Sequence, residues 1–227
     1  MIDLNFLGCG AAFFPKLGNT NAYFVKNDRI FFLDFGESAF EKVYSHLRAE
    51  SYADIYVLIS HLHADHVGSL ASFISYMYFV HNKAIHVIHP SEQILSLLTL
   101  QGITRDAYLH MTALPAESGV SVRFVPVEHA NDMQCFGYVL SDGDSRIYFS
   151  GDASTVPPEI LSEFLGGEIE RIYQDTASHK SASHCYYKDL MMLIPENKRK
   201  NVFCMHFDGD YVQLLKEAHF SVVKSNF

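Results

Sequence analysis

SHLHADHVG, at residues 60–68, concentrates three histidines and one aspartate within six consecutive positions. Imidazole nitrogens and carboxylate oxygens are ligands that zinc and related metals accept in proteins. The preceding segment DIYVLIS, at residues 54–60, is an apolar, β-branched run that predicts a buried strand. A polar loop with solvated histidines is the alternative, but so many candidate ligands together favour a metal site at the end of a strand. The candidates are His61, His63, Asp65 and His66.

The spacing within this cluster indicates two neighbouring binding points. A strand that enters a tight loop lets residues i and i+2 converge, so His61 and His63 are expected to face one ion. The start of the following helix turns residues i+4 and i+5 towards a second point, which suits Asp65 and His66. Two metal ions that share a hydroxide are a recurrent device for hydrolysis. One loop does not complete two such sites, so further ligands are expected at the ends of other strands.

Three further candidate ligands follow apolar, strand-like segments. His129 follows VRFVPVE, Asp152 lies in IYFSGDAS, and His206 follows NVFCM. A single histidine at a strand end is more often structural, and an aspartate after glycine usually marks a turn. Their joint occurrence with the cluster at residues 60–68 favours one shared site, because two metal ions require ligands from other strand ends.

Length and composition describe a folded α/β protein. The chain has 227 residues, of which 48% are hydrophobic and 19% are charged, and we expect one domain over residues 1–227. Strand patterns alternate with helical spacing, which predicts sheets inside and helices outside. Asn27 and Asp28 separate two strand patterns and predict a hairpin. No strand is predicted between a helix that ends near Gly102 and a strand over residues 120–127.

Charge and cysteine content restrict the partners and the location. The formal net charge is −9 at pH 7, which disfavours a large nucleic acid, because such binding needs clustered Lys and Arg. No apolar run reaches the ~20 residues of a membrane span, and the start lacks the features of a secretory signal. The four cysteines show no C-x-x-C spacing. We therefore expect a cytoplasmic protein with no membrane partner, and the sequence leaves a homodimer open.

The ordered motifs resemble the metallo-β-lactamase superfamily over almost the whole chain. The resemblance begins at FLGCGAA, residues 6–12, and continues through H-x-H-x-D-H, His129, the Gly151-Asp152 pair and His206. It implies an α/β fold of the αββα type, a four-layer sandwich of two mixed sheets flanked by helices. It also implies two divalent metal ions, with zinc expected and manganese or iron left open. The implied ligands are His61, His63 and His129 for one ion, Asp65, His66 and His206 for the other, and Asp152 for both.

A second motif, YQDTASHKSASHCYYKDL at residues 173–190, resembles the ribonuclease Z-like phosphodiesterases. In that branch a glutamate and a histidine assist proton transfer. Asp175 stands at the glutamate position and His184 at the histidine position, while Gln174 replaces a histidine and His179 is a competing candidate. A carboxylate that orients an imidazole raises its basicity, which suits protonation of an alkoxide leaving group. The predicted catalytic residues are Asp65, Asp175 and His184.

These motifs predict a hydrolase that acts on a small phosphodiester, such as a cyclic nucleotide or a short oligonucleotide. No Gly/Lys-rich insertion of the kind that grips transfer RNA lies between His66 and His129, so transfer-RNA processing is disfavoured. Thioester, lactone or β-lactam hydrolysis on the same metals is the alternative, and a non-catalytic sensor or binding protein is a weaker one. Aromatic residues that are candidates for base stacking, although more typical of packing, are Tyr76, Tyr78, Phe79, Tyr186 and Tyr187.

Overall fold

The computed structural model describes all 227 residues, and the first half of the chain forms a six-stranded mixed sheet. Its strands, in spatial order, are β1 (Asn5–Gly8), β2 (Asn21–Lys26), β3 (Arg29–Leu33), β4 (Asp54–Leu58), β5 (Ile85–Ile88) and β6 (Tyr108–Met111). β1, β2 and β3 pair antiparallel, and the remaining pairs are parallel. Asn27 and Asp28 have φ angles of 49° and 61°, as in a type I′ turn, so the predicted hairpin is confirmed.

The second half of the chain forms another six-stranded mixed sheet. Its strands are β7 (Ser121–Pro126), β8 (Phe136–Ser141), β9 (Arg146–Phe149), β10 (Arg171–Asp175), β11 (Val202–Met205) and β12 (Ser221–Val222). β7, β8 and β9 pair antiparallel, and β9 to β12 pair parallel. Both sheets therefore consist of an antiparallel part followed by a parallel part, with the strands in sequence order.

Seven α-helices complete the fold. They are α1 (Ala39–His46), α2 (Ala64–Val67), α3 (Leu70–His81), α4 (Gln93–Leu100), α5 (Pro158–Gly166), α6 (Tyr187–Leu193) and α7 (Val212–Glu217). Side chains of β3 alternate between two cores. Phe31 and Leu33 join a cluster of 37 buried residues shared by both sheets, while Ile30 and Phe32 join a cluster of 21 shared with α1, α3 and α4. This layering confirms the predicted αββα sandwich.

One strand, β6, lies outside the sequence prediction. β6 is an edge strand, and the half-exposed Leu109 breaks the alternation of apolar and polar residues in its segment YLHM. Asp65 and His66 lie in a helical turn after the cluster, as their spacing predicts, but this turn, α2, is separate from α3, which begins at Leu70. None of the helices is both long and apolar enough to cross a membrane.

The fold brings the carboxyl ends of strands from both sheets together. His61 follows β4, Asp152 follows β9, and His206 follows β11. After β3, the backbone of Gly36 packs directly against α2, since a Cβ added at Gly36 would lie 1.8 Å from the carbonyl oxygen of Asp65. Glycine at position 36 therefore lets the loop that carries the histidine cluster approach the first sheet.

Gly36→Ala is expected to displace this loop and destabilise the protein. Overpacking against a backbone that cannot rotate away costs about 3 kcal/mol, which lowers the Tm of a chain of this size by roughly 6–12 °C. Thermal unfolding followed by circular dichroism measures the change.

Gly166→Ala is the matched control for this substitution. Gly166 is the last residue of α5, and its Cβ position has no atom within 4 Å. Because alanine favours the helix over glycine, the control variant should match or exceed the parent Tm. A Gly36→Ala variant as stable as the parent would contradict the close packing.

Candidate metal centre and active site

Three histidines from two distant segments bring their ring nitrogens together. His63 Nδ1 lies 3.0 Å from His61 Nε2 and 3.1 Å from His129 Nε2. His61 and His63 follow β4 in the first sheet, and His129 follows β7 in the second, so only the folded chain assembles the group. Three imidazole nitrogens that face one another form a typical ligand set for a divalent transition metal.

A second group of four buried side chains lies beside the first. The Nε2 atoms of His66 and His206 face the carboxylates of Asp65 and Asp152 at distances of 3.1 to 3.3 Å. Asp65 and His66 lie in α2, while the other two residues follow strands of the second sheet. Imidazoles mixed with carboxylates also suit a divalent cation.

Asp152 faces both groups with different oxygens. Its Oδ1 lies 3.1 Å from His66 Nε2, and its Oδ2 lies 3.5 Å from His129 Nε2. The preceding Gly151 has a φ of 57°, a conformation that favours glycine, and a Cβ there would lie 2.8 Å from the Ser60 Cβ. The turn after β9 therefore requires glycine, and it places one carboxylate between the two sets of histidines.

Asp34 is a structural partner of the centre that the sequence motifs do not reveal. Its buried carboxylate accepts hydrogen bonds from the Ser60 amide (2.6 Å), the Ser60 hydroxyl (2.7 Å), the Tyr138 hydroxyl (3.0 Å) and His66 Nδ1 (2.8 Å). Because His66 donates from Nδ1, its Nε2 is free to face the candidate metal position. The sequence signal is a lone acid in the apolar run RIFFLDFG at residues 29–36, since a buried carboxylate needs donors.

Hydrogen bonds also orient His61 and His129. The Ser60 hydroxyl donates to Asp34, so it can accept a hydrogen bond from His61 Nδ1, 3.0 Å away. His129 Nδ1 donates to the carbonyl oxygen of Ser183 at 2.9 Å. In both residues the Nδ1 proton is engaged, which leaves the Nε2 lone pair for a metal ion.

Two buried atoms at the centre lack a hydrogen-bond partner, His66 Nε2 and Asp152 Oδ1. A buried polar atom without a partner costs about 1–3 kcal/mol, and such atoms are uncommon in native proteins. The two atoms lie 3.1 Å apart, so one cation would satisfy both. The donor set therefore fits a divalent metal ion.

The carboxylates make the second group attractive to cations. Burial by itself lowers the pKa of His206, but Asp152 and Asp175 outweigh burial and raise this pKa to about 10. Burial also lowers the pKa of His66, yet Asp152 and two further carboxylates raise it well above its usual value. Protons and metal ions consequently compete for the same imidazole nitrogens.

Asp175 and His184 form the pair that the second motif predicts. His184 Nδ1 donates to Asp175 Oδ2 at 2.7 Å, and the Ala153 amide donates to the same oxygen at 3.1 Å. Burial lowers the pKa of His184, but the hydrogen bond to Asp175 and the negative charges of Asp175 and Asp152 together outweigh burial and raise the pKa. Asp175 Oδ1 also lies 3.3 Å from His206 Nδ1, a contact that the sequence does not predict. Asp175 therefore touches both the proposed acid and a candidate ligand.

His179, the competing histidine, pairs with a different carboxylate. Its Nδ1 lies 3.0 Å from Asp208 Oδ2, and its side chain is 73% exposed, compared with 29% for His184. The Ser178 amide and hydroxyl hold the Asp208 carboxylate in place. The geometry thus favours His184 as the partner of Asp175 and places His179 at the outer part of the site.

The groups line one cavity of about 1040 Å³. Its inner wall contains candidate ligands together with His184, while its remaining wall is formed by loops. The five aromatic residues that were candidates for base stacking do not line it, whereas Phe13 does. Loop residues that line the cavity include Ala11, Ala12, Phe13, Glu37, Asn131, Asp132, His179 and Asp208.

Solved structures identify the class of protein that this architecture defines. YhfI from Bacillus subtilis, a metallo-β-lactamase fold protein, superposes with a TM-score of 0.81 at 16% identity, over 100% of this chain and 98% of its own. The short form of human tRNase Z gives 0.67 at 17% identity over 100% and 98%, and Zn²⁺-bound PqqB from Methylobacterium extorquens gives 0.74 at 10% over 100% and 99%. The protein is therefore a metallo-β-lactamase-fold protein, and its clustered His and Asp residues stand at the joined strand ends of that fold.

Within this class, the chain belongs to the family described as Anti-Pycsar protein Apyc1, whose family model matches residues 2–225. It is similar to the Anti-Pycsar protein Apyc1 of Paenibacillus harenae, with 26% identity over 228 residues that cover 93% of this chain and 91% of the relative. The protein of the same name from Bacillus phage BSP38 is 24% identical over 237 residues, covering 93% and 90%. The superfamily resemblance of the sequence motifs is confirmed.

Metal binding to chelator-treated protein is expected to release protons. Below the raised pKa values of His66 and His206, both imidazoles hold a proton that a metal ion must displace, so affinity should rise with pH through the neutral range. About two protons per chain should be released near pH 7. Calorimetric titration with Zn²⁺ in two buffers of different ionisation enthalpy measures this number.

His179→Ala is the control for the proton count, because His179 lines the cavity but belongs to neither ligand group. The variant should release as many protons as the parent protein, whereas His206→Ala should release fewer. Zinc binding without net proton release in the parent protein would contradict the charge arrangement.

Proposed function

We propose that this protein is a metal-dependent phosphodiesterase that hydrolyses a small phosphodiester, either a cyclic nucleotide or a short oligonucleotide. The observation that carries the proposal is the 2.7 Å hydrogen bond between His184 and Asp175 beside the two ligand groups. An oriented imidazole with a raised pKa is the group needed to protonate a poor alkoxide leaving group. Lactone or thioester hydrolysis would not require it.

The metal assignment follows from the two ligand groups. We assign two divalent ions, with zinc preferred because imidazoles dominate the first group, although the same donors accept manganese and iron. Divalent ions held there would supply Lewis acidity, which activates water and polarises phosphoryl oxygens. The assigned ligands are His61, His63 and His129 for the first ion, Asp65, His66 and His206 for the second, and Asp152 for both.

His184 is the proposed general acid. Asp175 accepts the Nδ1 proton, so Nε2 is the nitrogen that can give a proton to the leaving oxygen as the bond to phosphorus breaks. The raised pKa favours the imidazolium, which is the form that gives the proton. Asp65 lines the cavity and faces His66, and we assign it the role of holding the attacking water by a hydrogen bond.

Cavity size and charge support a small substrate. A volume of about 1040 Å³ is ample for a nucleotide. The loops around it carry Glu37, Asp132 and Asp208, and the net charge is −9, so a long polyanion meets repulsion outside the metal site. The only dense basic run, at residues 197–201, does not line the cavity.

A substrate panel tests the reaction class. Protein reconstituted with zinc or manganese should hydrolyse bis-p-nitrophenyl phosphate and a cyclic nucleotide faster than nitrocefin, a lactone or a thioester. Turnover of only nitrocefin, the lactone or the thioester would contradict the proposal and indicate hydrolysis of an acyl bond at the same centre.

Metal-reconstituted protein is expected to contain about two ions per chain. His63→Ala should remove one ion and lower turnover by orders of magnitude, because His63 belongs to the first ligand group only. Asp152→Ala should weaken both ions, since its two oxygens face both groups. Elemental analysis after gel filtration provides the counts, and a fully active protein with one ion or none would contradict the assignment.

His184→Ala is expected to slow hydrolysis of a cyclic nucleotide by about 10²–10⁴-fold. The same variant should barely slow bis-p-nitrophenyl phosphate, because nitrophenolate departs without a proton. Steady-state kcat on both substrates, together with metal content, measures the effect. Asp175→Asn should show a smaller selective loss and, through its contact with His206, a weaker affinity for one ion.

His179→Ala is the control for the general acid, because it removes the other histidine–carboxylate pair in the same cavity. It should lack the selective loss on the cyclic nucleotide. If His184→Ala lowers the turnover of both substrates equally, His184 has a positioning role and is not the general acid. If His179→Ala selectively slows the cyclic nucleotide, His179 is the general acid.

A further inference from the structure

Phe13 is a fully exposed aromatic residue on the wall of the cavity. Its relative exposure is 100%, and it lines the cavity together with Ala11 and Ala12. Single exposed apolar residues are ordinary on protein surfaces, so exposure alone assigns no role. What distinguishes Phe13 is that the same cavity contains the candidate metal ligands and His184.

The backbone holds the loop of Phe13 in a fixed position relative to those ligands. The Ala11 amide donates to the Phe207 carbonyl oxygen at 2.9 Å, and the Phe207 amide donates to Cys9 at the same distance. Phe207 directly follows His206. A Cβ at Gly10 would lie 2.6 Å from the Phe14 carbonyl oxygen, so glycine is required for this tight turn. Phe13 is therefore attached to the strand end that carries a candidate ligand.

Phe13 is the only large apolar side chain on the cavity wall. The other apolar lining residues are alanines, whereas the candidate ligands, Asn131 and the His179–Asp208 pair contribute polar groups. A ligand that fits this wall has a flat apolar part for Phe13 and an anionic part for the candidate metal ligands. Nucleotides have this composition, because every base offers a π-face while the sugar and phosphate are polar.

We propose that Phe13 stacks on the nucleobase of the substrate while the phosphodiester lies against the metal ligands. This inference rests on the proposed function and deepens it, because it assigns a residue of this chain to the base of the substrate. Stacking accepts any base, so Phe13 contributes affinity for nucleotides as a class and leaves discrimination between bases to polar groups.

Competitive inhibition of bis-p-nitrophenyl phosphate hydrolysis tests the role in binding. Phe13→Ala should raise the inhibition constant of a nucleoside 5′-monophosphate on the order of tenfold to a hundredfold. The inhibition constant of ribose 5-phosphate, which has no base, should stay unchanged, and Phe13→Tyr should retain the parent value for the nucleotide. An unchanged nucleotide constant in Phe13→Ala, or equal losses for both inhibitors, would overturn the proposal.

A fluorescence measurement tests stacking without turnover. The chain contains no tryptophan, so Phe13→Trp introduces a single fluorophore at the proposed contact. The nucleoside monophosphate should quench it saturably in metal-loaded protein, and ribose 5-phosphate should not. Phe14→Trp is the matched control, because Phe14 lies under Lys16, with Nζ 4.3 Å from the ring centroid, and does not line the cavity.

The outcomes separate this inference from the proposed function. Hydrolysis of phosphodiesters without quenching of Phe13→Trp would overturn the stacking and leave the phosphodiesterase proposal intact. Selective quenching in a protein that hydrolyses no phosphodiester would support a nucleotide contact at Phe13 and refute the phosphodiesterase. Equal quenching in the Phe14→Trp control would show a non-specific effect and count against the contact.

Discussion

The buried carboxylate of Asp34 connects the two sheets to the histidine cluster. It binds Ser60 at the start of the cluster, His66 within it, and Tyr138 on β8 of the other sheet. A buried carboxylate that lacks hydrogen-bond donors is costly, so Asp34 depends on these groups. The same network therefore sets the position of one sheet against the other and the orientation of the His66 ring.

The centre that this network orients is unfavourable for the polypeptide alone. Asp65 and Asp152 are buried and face the same two imidazoles, so their negative charges repel each other in surroundings of low polarity. Positive charge on or between His66 and His206 offsets that repulsion, whether it comes from protons or from metal ions. Local sacrifices of stability of this kind are typical of functional sites, and the surrounding fold compensates for them.

Local patterns explain which features the sequence predicts. The ligands follow apolar runs, so strand periodicity and residue type are enough to place His61, Asp152 and His206 at strand ends. Asp34 also follows an apolar strand, but this pattern does not predict its role, because that role depends on Tyr138, which lies 104 positions away in the chain. The exposure of Phe13 is also invisible in the sequence, where it stands beside another phenylalanine, and only the fold shows which of the two rings lines the cavity.

The fold separates the chemistry from the choice of substrate, although not completely. Strand ends carry the candidate ligands, while most of the cavity wall comes from loops that can change without disturbing either core, and this arrangement lets one fold serve many substrates. The loop of Phe13 is different, because backbone hydrogen bonds attach it to Phe207, next to His206. A base that stacks on Phe13 would therefore lie at a fixed distance from the metal ligands. Such rigidity lowers the entropy lost when phosphate and base bind together. A nucleotide that contacts both the metal ligands and Phe13 therefore binds more tightly than a phosphodiester that has no base.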